Sequence, residues 1–349
     1  MTGKDSSAPA GGATIRCGVV GVGRMGRHHA RVYTELPGAE LVGVVDQSEE
    51  RRTQIAEKHN CPAYESVSEL LDAGVDAVSV AVPTTHHLDA AWPLLEAKVA
   101  CLIEKPLASD VEQAQKIKDH AERTGAVLQV GHIERYNPAV MALRREGTGS
   151  ITPRFVEVHR ISPMTFRSVD VGVVFDMMIH DLDVVLMLMG GIEPVEVHAS
   201  GVSVITEHED VCNARLVFDA PQGKCVANIT ASRLAMKTER KVRIVGDDAY
   251  VSIDYANKSG VLIRRTANQT QLDEVREALR TGHDLSSLDY SQLVALEPLS
   301  VDDAEPLRMQ LEAFLKAVRT GSRPEIDAAD GFANVRTAQR IVEAIRADW

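Results

Sequence analysis

Asp176 and His180 have the residue types and the spacing that acid–base chemistry needs. In a helix, residues at i and i+4 share one face, and Asp183 at i+7 falls on that face too. A histidine oriented by an aspartate can act as a general base near neutral pH. An isolated Asp–His pair on a helix is more often simply exposed to solvent. Here the neighbouring residues are too apolar for a helix on the protein surface. We therefore predict a buried helix whose Asp–His pair faces a cleft.

Lys105 is a second group that could take part in chemistry. It stands between Glu104 and Pro106, directly after an apolar, strand-like segment, and the proline prevents that strand from continuing. In parallel sheets the ligand crevice lies beyond the C-terminal strand ends, so the ammonium group is expected to face a bound ligand. A surface lysine at a strand end is the commoner arrangement, and the residues alone leave both interpretations open.

A glycine-rich loop precedes both groups in the chain. The apolar segment 15–20 is followed by Gly21-Val22-Gly23-Arg24-Met25-Gly26 and then by a helix-like stretch. This order of strand, G-x-G-x-x-G and helix suits a dinucleotide pyrophosphate, because glycines permit close approach and the helix start offers free N–H groups. We predict that this loop, Arg24 and Met25 included, contacts a dinucleotide.

Asp46 indicates which dinucleotide is bound. It ends the second apolar segment, 20 residues after Gly26. A carboxylate at this place can accept hydrogen bonds from both hydroxyls of the adenosine ribose, and it would repel a 2′-phosphate. The sequence therefore favours NAD over NADP as the cofactor.

Size and charge exclude several classes of protein. A chain of 349 residues is long enough for two domains with separate cores. The formal net charge of −12 argues against nucleic acid or an anionic membrane as the partner. The most apolar stretch, residues 169–189, contains several acidic residues and is read as a buried helix rather than a membrane span.

Cysteine usage and the first residues bear on the compartment. The five cysteines show no C-x-x-C spacing, which indicates reduced thiols and a cytoplasmic protein. Residues 1–12 are small and polar without an apolar segment, so we expect a disordered arm and no secretory signal.

Residues 13–134 have the pattern of an α/β domain. Strand-like segments at 15–20, 41–46, 77–82, 99–104 and 127–131 alternate with helical stretches. The last four are almost continuously apolar, as in strands buried on both faces of a parallel sheet. The prediction is a doubly wound Rossmann domain.

Residues 135–349 follow a different pattern, and we predict a second α/β domain for substrate and oligomer contacts. Longer, often alternating segments at 155–161, 195–204, 211–218, 224–231 and 242–253 indicate a large, mostly antiparallel sheet with one open face. Such a face is usually covered by another subunit, so we expect a homodimer or homotetramer. Helices are predicted at 137–145, 272–280, 306–320 and 330–347.

Further polar residues lie where ligands are expected. His86 follows Pro83 and Thr84 at the end of the third strand-like segment. No spacing typical of a metal site is present, and we predict no catalytic metal. Arg135, Tyr136 and Asn137 cluster past the fifth strand, and Arg135, Arg160 and Arg167 could donate to a phosphate or diphosphate. For each arginine taken singly, an ordinary surface salt bridge is the commoner arrangement.

With these residues, the chain resembles the Gfo/Idh/MocA oxidoreductases from about Ile15 onward. The resemblance consists of the glycine loop, His86 after its strand, Glu104-Lys105-Pro106 and the Asp176–His180 spacing. The ending, with Arg323-Pro324, Asp327, Asp330 and Gly331, also fits. The family implies a Rossmann domain, a second domain with a large open sheet, and final helices 306–349 that pack back near the Rossmann domain.

The resemblance also implies roles for single residues. Lys105 would hydrogen-bond the reacting hydroxyl, His180 would remove its proton and Asp176 would orient His180. Cofactor contacts are expected from Pro83, Thr84, His86, Glu104 and Lys105 in addition to the loop and Asp46, and substrate contacts from Asp183 in addition to the residues above. Many relatives have glycine just before the histidine, where this chain has Met177-Met178-Ile179.

Two stretches, 132–139 and 175–183, are similar to UDP-N-acetylglucosamine 3-dehydrogenases within the family. The similarity implies an NAD-dependent dehydrogenase that oxidises a secondary hydroxyl of a sugar or nucleotide sugar, here the 3-hydroxyl of UDP-N-acetylglucosamine or a related UDP-amino sugar. Alternatives are a dehydrogenase of a free polyol or sugar such as inositol, and a non-catalytic dinucleotide or sugar sensor on the same fold. An imine or biliverdin-type reductase would favour NADPH, which Asp46 disfavours.

Overall fold

The computed structural model describes residues 13–146, 151–166, 171–286 and 288–347. The expected arm at 1–12 lies outside these residues. The chain divides into two compact units, one formed by Met1–His132 with Leu307–Phe332 and the other by Ile133–Pro306 with Ala333–Trp349. In the sequence, the boundary between the two domains was expected at residue 134.

The first unit contains a six-stranded parallel sheet in the order β3-β2-β1-β4-β5-β6. Its strands are β1 (Ile15–Val20), β2 (Ala39–Val45), β3 (Ala63–Tyr64), β4 (Ala77–Val80), β5 (Ala100–Glu104) and β6 (Leu128–Gly131). The helices between them are α1 (Gly26–Glu35), α2 (Glu49–His59), α3 (Val67–Asp72), α4 (His87–Glu96) and α5 (Val111–Thr124). This is the doubly wound Rossmann arrangement, in which the strand order reverses beside β1.

The apolar segments of the sequence coincide with five of these strands. β1, β4, β5 and the final strand β6 have almost entirely buried residues, as expected of strands with helices on both faces. The sequence missed β3, because its two residues are too short to show a pattern.

The second unit contains an eight-stranded sheet in the order β14-β13-β12-β11-β7-β10-β9-β8, in which only β7 and β10 pair in parallel. Its strands are β7 (Pro153–Ile161), β8 (Glu196–Val202), β9 (Val211–Ala220), β10 (Gly223–Ser232), β11 (Glu239–Gly246), β12 (Ala249–Asp254), β13 (Ser259–Arg265) and β14 (Val294–Pro298). The helices are α6 (Pro138–Glu146), α7 (Ile179–Leu188) and α8 (Gln269–Arg280). The predicted α/β class with a mostly antiparallel second sheet is confirmed.

Two details of the second sheet differ from expectation. The segment 242–253 is two strands, because the turn between Gly246 and Ala249 reverses the chain into an antiparallel hairpin. No strand was predicted at Ser259–Arg265 or Val294–Pro298, which form β13 and β14 at the sheet edge; both strands are short and contain few buried residues.

Two helices end the chain, α9 (Pro306–Thr320) and α10 (Ala328–Ala347). Gln129 on β6 donates to the carbonyl oxygen of Gln310 on α9 at 3.2 Å, and the Val130 N–H donates to Ile326 at 2.9 Å. Residues 307–332 therefore belong to the first unit, although Gln129 and Gln310 are 181 residues apart in the sequence. Among the described residues, no helix is both long and apolar enough to cross a membrane.

Candidate active site

The glycine loop between β1 and α1 has the shape that a pyrophosphate requires. Gly21 has a φ of +85°, and a Cβ there would lie 2.7 Å from the Val82 backbone nitrogen. A Cβ on Gly26 would overlap the carbonyl oxygen of Gly21. By contrast, a Cβ on Gly23 would meet no atom within 4 Å, so the space in front of this backbone is open. The loop thus fits a dinucleotide, with Gly23 at the place of closest approach.

Asp46 lies one residue beyond β2 and directs its carboxylate back to this loop. Its Oδ2 accepts from the Val22 N–H at 3.0 Å, and its Oδ1 accepts from Ser48 N–H and from Arg51 Nη2, both at 2.9 Å. Burial alone would raise the pKa of Asp46, but these hydrogen bonds and the charge of Arg51 hold it below its ordinary value. Asp46 is therefore ionised at neutral pH, as recognition of a ribose requires.

Arg51 adds a feature that the sequence did not reveal. It borders a cavity of about 910 Å³ together with Gly23 and Arg24, and its own side chain is 57% exposed. A ribose that binds to Asp46 would share the carboxylate with Arg51 or displace it. Arg51 is also the cation nearest to Asp46, so it is suited to meet a 2′-phosphate once the carboxylate is removed.

We expect Asp46→Ala to weaken NAD binding about tenfold or more, because hydrogen bonds to a charged group contribute about 1.5–3 kcal/mol. The released Arg51 should strengthen NADP binding, so that preference for NAD falls or inverts. Fluorescence titration of both cofactors measures this. In the double variant Asp46→Ala/Arg51→Ala, the gain for NADP should disappear; unchanged cofactor preference in Asp46→Ala would contradict the assignment of Asp46.

The residues expected to surround the nicotinamide end are placed in different environments. Lys105 is half-buried directly after β5. Pro83 and His86 are exposed and Thr84 is half-buried, with Thr84–His86 forming a short 3₁₀ helix after β4. Glu104, by contrast, points into the interior, where its Oε1 lies 3.0 Å from His29 Nε2. The Glu104 side chain therefore has a partner inside the protein, whereas the sequence predicted that it contacts the cofactor.

The helix that carries Asp176 and His180 begins with a π-helical turn, Val174–Met178, and continues as α7. Both side chains are half-buried, so a ligand can reach them. A π turn is wider than an α turn and shifts the phase of the residues after it, and such turns are frequent at functional sites. The π turn therefore changes the relation between Asp176 and His180 that a regular i, i+4 spacing predicts, whereas His180 and Asp183 both lie in α7. Asp183 is fully buried, while Asp176 and His180 are half-buried.

Two buried residues hold this helix from other elements of the second unit. The Val174 N–H donates to Glu209 Oε1 at 3.1 Å, which satisfies one of the backbone donors at the helix start. Asn334 on α10 donates through Nδ2 to the carbonyl oxygen of Ile179 at 3.0 Å. Both ends of the segment between Asp176 and His180 are thereby fixed.

Buried ion pairs also connect the same helix to other elements of the second unit. Asp183 accepts two hydrogen bonds from Arg135, at 2.8 and 2.7 Å. Its neighbour Asp181 accepts two from Arg160, at 2.5 and 3.0 Å, and Arg160 also donates to Glu134 at 3.1 Å. Arg135, Arg160 and Asp183 were expected to contact substrate, but in this structure they are bound to one another or to neighbouring charges inside the protein.

Charge and burial oppose each other in the Arg160 cluster, which comprises Glu134, Arg160, Asp181 and Tyr255. Burial alone would lower the pKa of Arg160, but the two acids raise it above its ordinary value. Burial raises the pKa of the Asp181 carboxyl, and the attraction of Arg160 offsets this only in part. Burial and both acids raise the pKa of Tyr255 well above its ordinary value, so it remains a neutral phenol.

Arg160→Met is expected to lower the free energy of unfolding by about 3–5 kcal/mol, because two buried carboxylates lose their counter-charge. Urea unfolding followed by circular dichroism measures the loss. Arg154→Met is the matched control, since Arg154 lies on the same strand and its pair with Asp247 is exposed. An equal loss of unfolding free energy in both variants would show that burial of the Arg160 ion pairs does not increase their contribution to stability.

The remaining substrate candidates divide in the same way. Tyr136 is buried. Asn137 is half-buried and precedes α6, where its Oδ1 accepts from the Ala139 N–H at 3.1 Å. Arg167 lies outside the described residues.

Several residues of this site were missed in the sequence. No role was predicted for His29, Glu134 or Asp181. Glu209 and Asn334 lie far along the chain from the helix that they hold, so no local pattern connects them.

Two family models match the chain. Residues 15–132 match an oxidoreductase family with an NAD-binding Rossmann fold, and residues 165–348 match the C-terminal alpha/beta domain of the same oxidoreductase family. Both carry the name Gfo/Idh/MocA. The predicted family resemblance and the NAD-binding domain are confirmed.

Individual relatives are dehydrogenases. A UDP-N-acetylglucosamine 3-dehydrogenase of Acidithiobacillus ferrooxidans is 41% identical over 253 residues, which are 72% of this chain and 78% of that protein. A solved structure of that enzyme has a TM-score of 0.83 and 34% identity, and the match covers 95% of this chain and 98% of the other. The scyllo-inositol 2-dehydrogenase of Bacillus subtilis is 26% identical over 348 residues, which are 95% of this chain and 94% of that protein.

Proposed function

We propose that this chain, which belongs to the Gfo/Idh/MocA oxidoreductase family, oxidises the 3-hydroxyl of UDP-N-acetylglucosamine or a related UDP-amino sugar with NAD. The observation that carries the substrate is the similarity to the Acidithiobacillus ferrooxidans enzyme, at 41% identity over 72% of this chain. An ionised Asp46 beside an open glycine loop supports NAD as the hydride acceptor.

The proposed mechanism assigns one task to each of three side chains. His180 removes the proton of the reacting hydroxyl, and Asp176 orients the imidazole and stabilises its charged form. Lys105 donates a hydrogen bond to the same oxygen, which becomes more negative as its proton leaves. Bound NAD would accept a hydride from the carbon that bears this oxygen.

The buried ion pairs limit which residues can bind the UDP group. To bind a diphosphate, Arg135 or Arg160 would have to release the buried carboxylate that it contacts. That carboxylate would then remain buried without a counter-charge, which is energetically unfavourable. We therefore propose that Arg135, Arg160 and Asp183 support the His180 helix. Asn137 and Arg167 remain the proposed substrate contacts.

The open face of the second sheet supports a homodimer or homotetramer. Exposed or half-buried residues alternate with buried ones along β9, β10 and β12, so one face of the sheet stays partly accessible in the part of the chain that the structure describes. The five cysteines are unpaired and all but Cys61 are buried, which supports reduced thiols and a cytoplasmic location.

Oxidation of a free polyol is the second candidate, because the inositol dehydrogenase of Bacillus subtilis matches 95% of this chain. The two are distinguished by kcat/KM with NAD for UDP-N-acetylglucosamine, N-acetylglucosamine and scyllo-inositol. We expect turnover only with the UDP sugar. Turnover of scyllo-inositol alone would support the polyol enzyme, and binding of any of them without turnover would support a sensor.

A further inference from the structure

The π turn ahead of His180 is closed by one backbone hydrogen bond. The Ile179 N–H donates to the carbonyl oxygen of Val174, five residues earlier, whereas an α-helix would use the residue four earlier. Asp176 lies inside this turn, and His180 follows directly after it. The turn therefore determines where the Asp176 side chain leaves the helix relative to His180.

Both residues of that hydrogen bond are held by side chains from outside the helix. Glu209, just before β9, accepts from the Val174 N–H at 3.1 Å through Oε1. Asn334 of α10 donates through Nδ2 to the Ile179 carbonyl oxygen at 3.0 Å. Glu209 and Asn334 are both buried, so water cannot readily replace either contact. One outside residue thus holds each end of the π turn.

The contact of Glu209 extends to the residues just ahead of the turn. Its carbonyl oxygen accepts from the Val173 N–H at 3.0 Å. A Cβ on Gly172 would overlap the Glu209 carboxylate, so the absence of a side chain there leaves the space that the carboxylate fills. The Asp176 N–H in turn donates to the Gly172 carbonyl oxygen at 3.0 Å. Glu209 therefore fixes the segment on which the backbone of Asp176 depends.

The loop that carries Glu209 is itself fixed by its neighbour, Asp210. The Asp210 carboxylate accepts from the three consecutive N–H groups of residues 204–206 and from Arg233 Nε, the last at 2.7 Å. Arg233 Nη1 also donates to the carbonyl oxygen of Val171 at 2.9 Å. These contacts connect the loop before β9 to the chain one residue ahead of Gly172, so the carboxylate of Glu209 is presented from a firmly held backbone.

A π turn needs such support because an α-helix is the ordinary alternative. π turns account for well under 1% of residues in globular proteins, and sparsely populated backbone conformations persist where the surrounding structure holds them. If the Ile179 N–H moved to the Phe175 carbonyl oxygen, the turn would become α-helical. His180 would then change its angular position around the helix axis relative to Asp176.

We propose that Glu209 and Asn334 together hold the π turn and so place Asp176 where it can orient His180. This inference rests on the proposed function for the catalytic meaning of the pair, but the contacts themselves do not. Glu209 and Asn334 are positioning residues, since they act through the backbone and neither needs to touch the sugar. Misplacing a catalytic group by about 1 Å can lower the rate about 10²-fold, which gives the arrangement its use in catalysis.

The direct test compares crystal structures of full-length variants. Glu209→Met keeps the length of the side chain and removes the acceptor, and we expect the Ile179 N–H to bond to Phe175 in an α-helical turn. Glu209→Gln retains Oε1 as an acceptor and should keep the π turn. Gly172→Ala displaces the carboxylate without changing it, so it should give the same structure at the turn as Glu209→Met.

Kinetics test whether the turn matters for the reaction. Glu209→Met and Asn334→Leu should each lower kcat about tenfold or more, with the KM for NAD and for the sugar within about threefold of native. Glu209→Gln should retain most of the native kcat. Because both residues act on one turn, the double variant should have a kcat close to that of the slower single variant, and not the product of the two losses.

Phe218→Leu is the control for a loss of stability alone. Phe218 is fully buried on β9 in the same unit, and its replacement should lower thermal stability and leave kcat unchanged. A kcat that falls in Phe218→Leu as far as in Glu209→Met, at an equal loss of thermal stability, would overturn the proposal.

A π turn retained in both Glu209→Met and Gly172→Ala would also overturn the proposal, as would equal losses of kcat in Glu209→Gln and Glu209→Met. If Glu209→Met does not fold, Gly172→Ala and Asn334→Leu still decide. Failure of the proposed function has a different signature, because His180→Ala would then retain turnover while the crystal structures still show the altered turn.

Discussion

Replacing His180 with alanine is expected to lower kcat by a factor of about 10² to 10⁴, the usual contribution of a positioned general base. The hydroxyl would then have to lose its proton to water while the hydride leaves, and no other residue is assigned that task. NAD affinity should change little, since the cofactor loop belongs to the other unit. Stopped-flow reduction of NAD under single-turnover conditions measures the chemical step without product release.

His198→Ala is the matched control for this variant. His198 lies on β8 of the same unit with a side chain that is 68% exposed, so its loss should leave kcat and stability unchanged. Loss of NAD binding in His180→Ala would show that the helix has a structural role instead. A kcat within threefold of the native enzyme would remove His180 from the mechanism.

Lys105→Ala is expected to lower kcat by about 10² to 10³, as when one donor to a developing oxyanion is removed. The affinity for NAD should remain within a few-fold, because the pyrophosphate and ribose contacts are elsewhere in the loop and at Asp46. Steady-state kinetics together with fluorescence titration of NAD separate the two effects.

The control for Lys105 is Lys116→Ala, an exposed lysine on α5. Whether the substitution changes kcat or KM distinguishes between two roles for Lys105. A raised KM for the sugar with an unchanged kcat would mean that Lys105 binds substrate equally in the ground and transition states, contrary to the assigned role.

The sequence predicted the Rossmann unit well for a physical reason. Strands buried on both faces, such as β4 and β5, are continuous apolar segments in the sequence. The loop at Gly21 requires glycine because a Cβ there would collide with the backbone, and this makes the loop recognisable. Asp46 could be found because its distance from the loop is set by one helix and one strand.

The site was predicted less completely because its supports come from distant parts of the chain. For Arg135 and Arg160 the sequence left phosphate binding and salt bridges both open, since it does not show that Asp183 and Asp181 face them. The spacing of Asp176, His180 and Asp183 assumed a regular helix, but Asp176 lies in the π turn Val174–Met178, and Asp183 is buried against Arg135. His29 in turn contacts Glu104, 75 residues later, which only the folded sheet makes a neighbour.

The most direct test of the central claim follows the hydrogen that leaves the sugar. UDP-N-acetylglucosamine with deuterium at C3 is incubated with the enzyme and NAD, a carbonyl trap removes the keto product, and the reduced cofactor is analysed by mass spectrometry. We predict one deuterium in NADH and a trapped 3-keto sugar nucleotide, both absent with His180→Ala. Reduced cofactor without deuterium, or no reduction at all, would contradict oxidation of this hydroxyl.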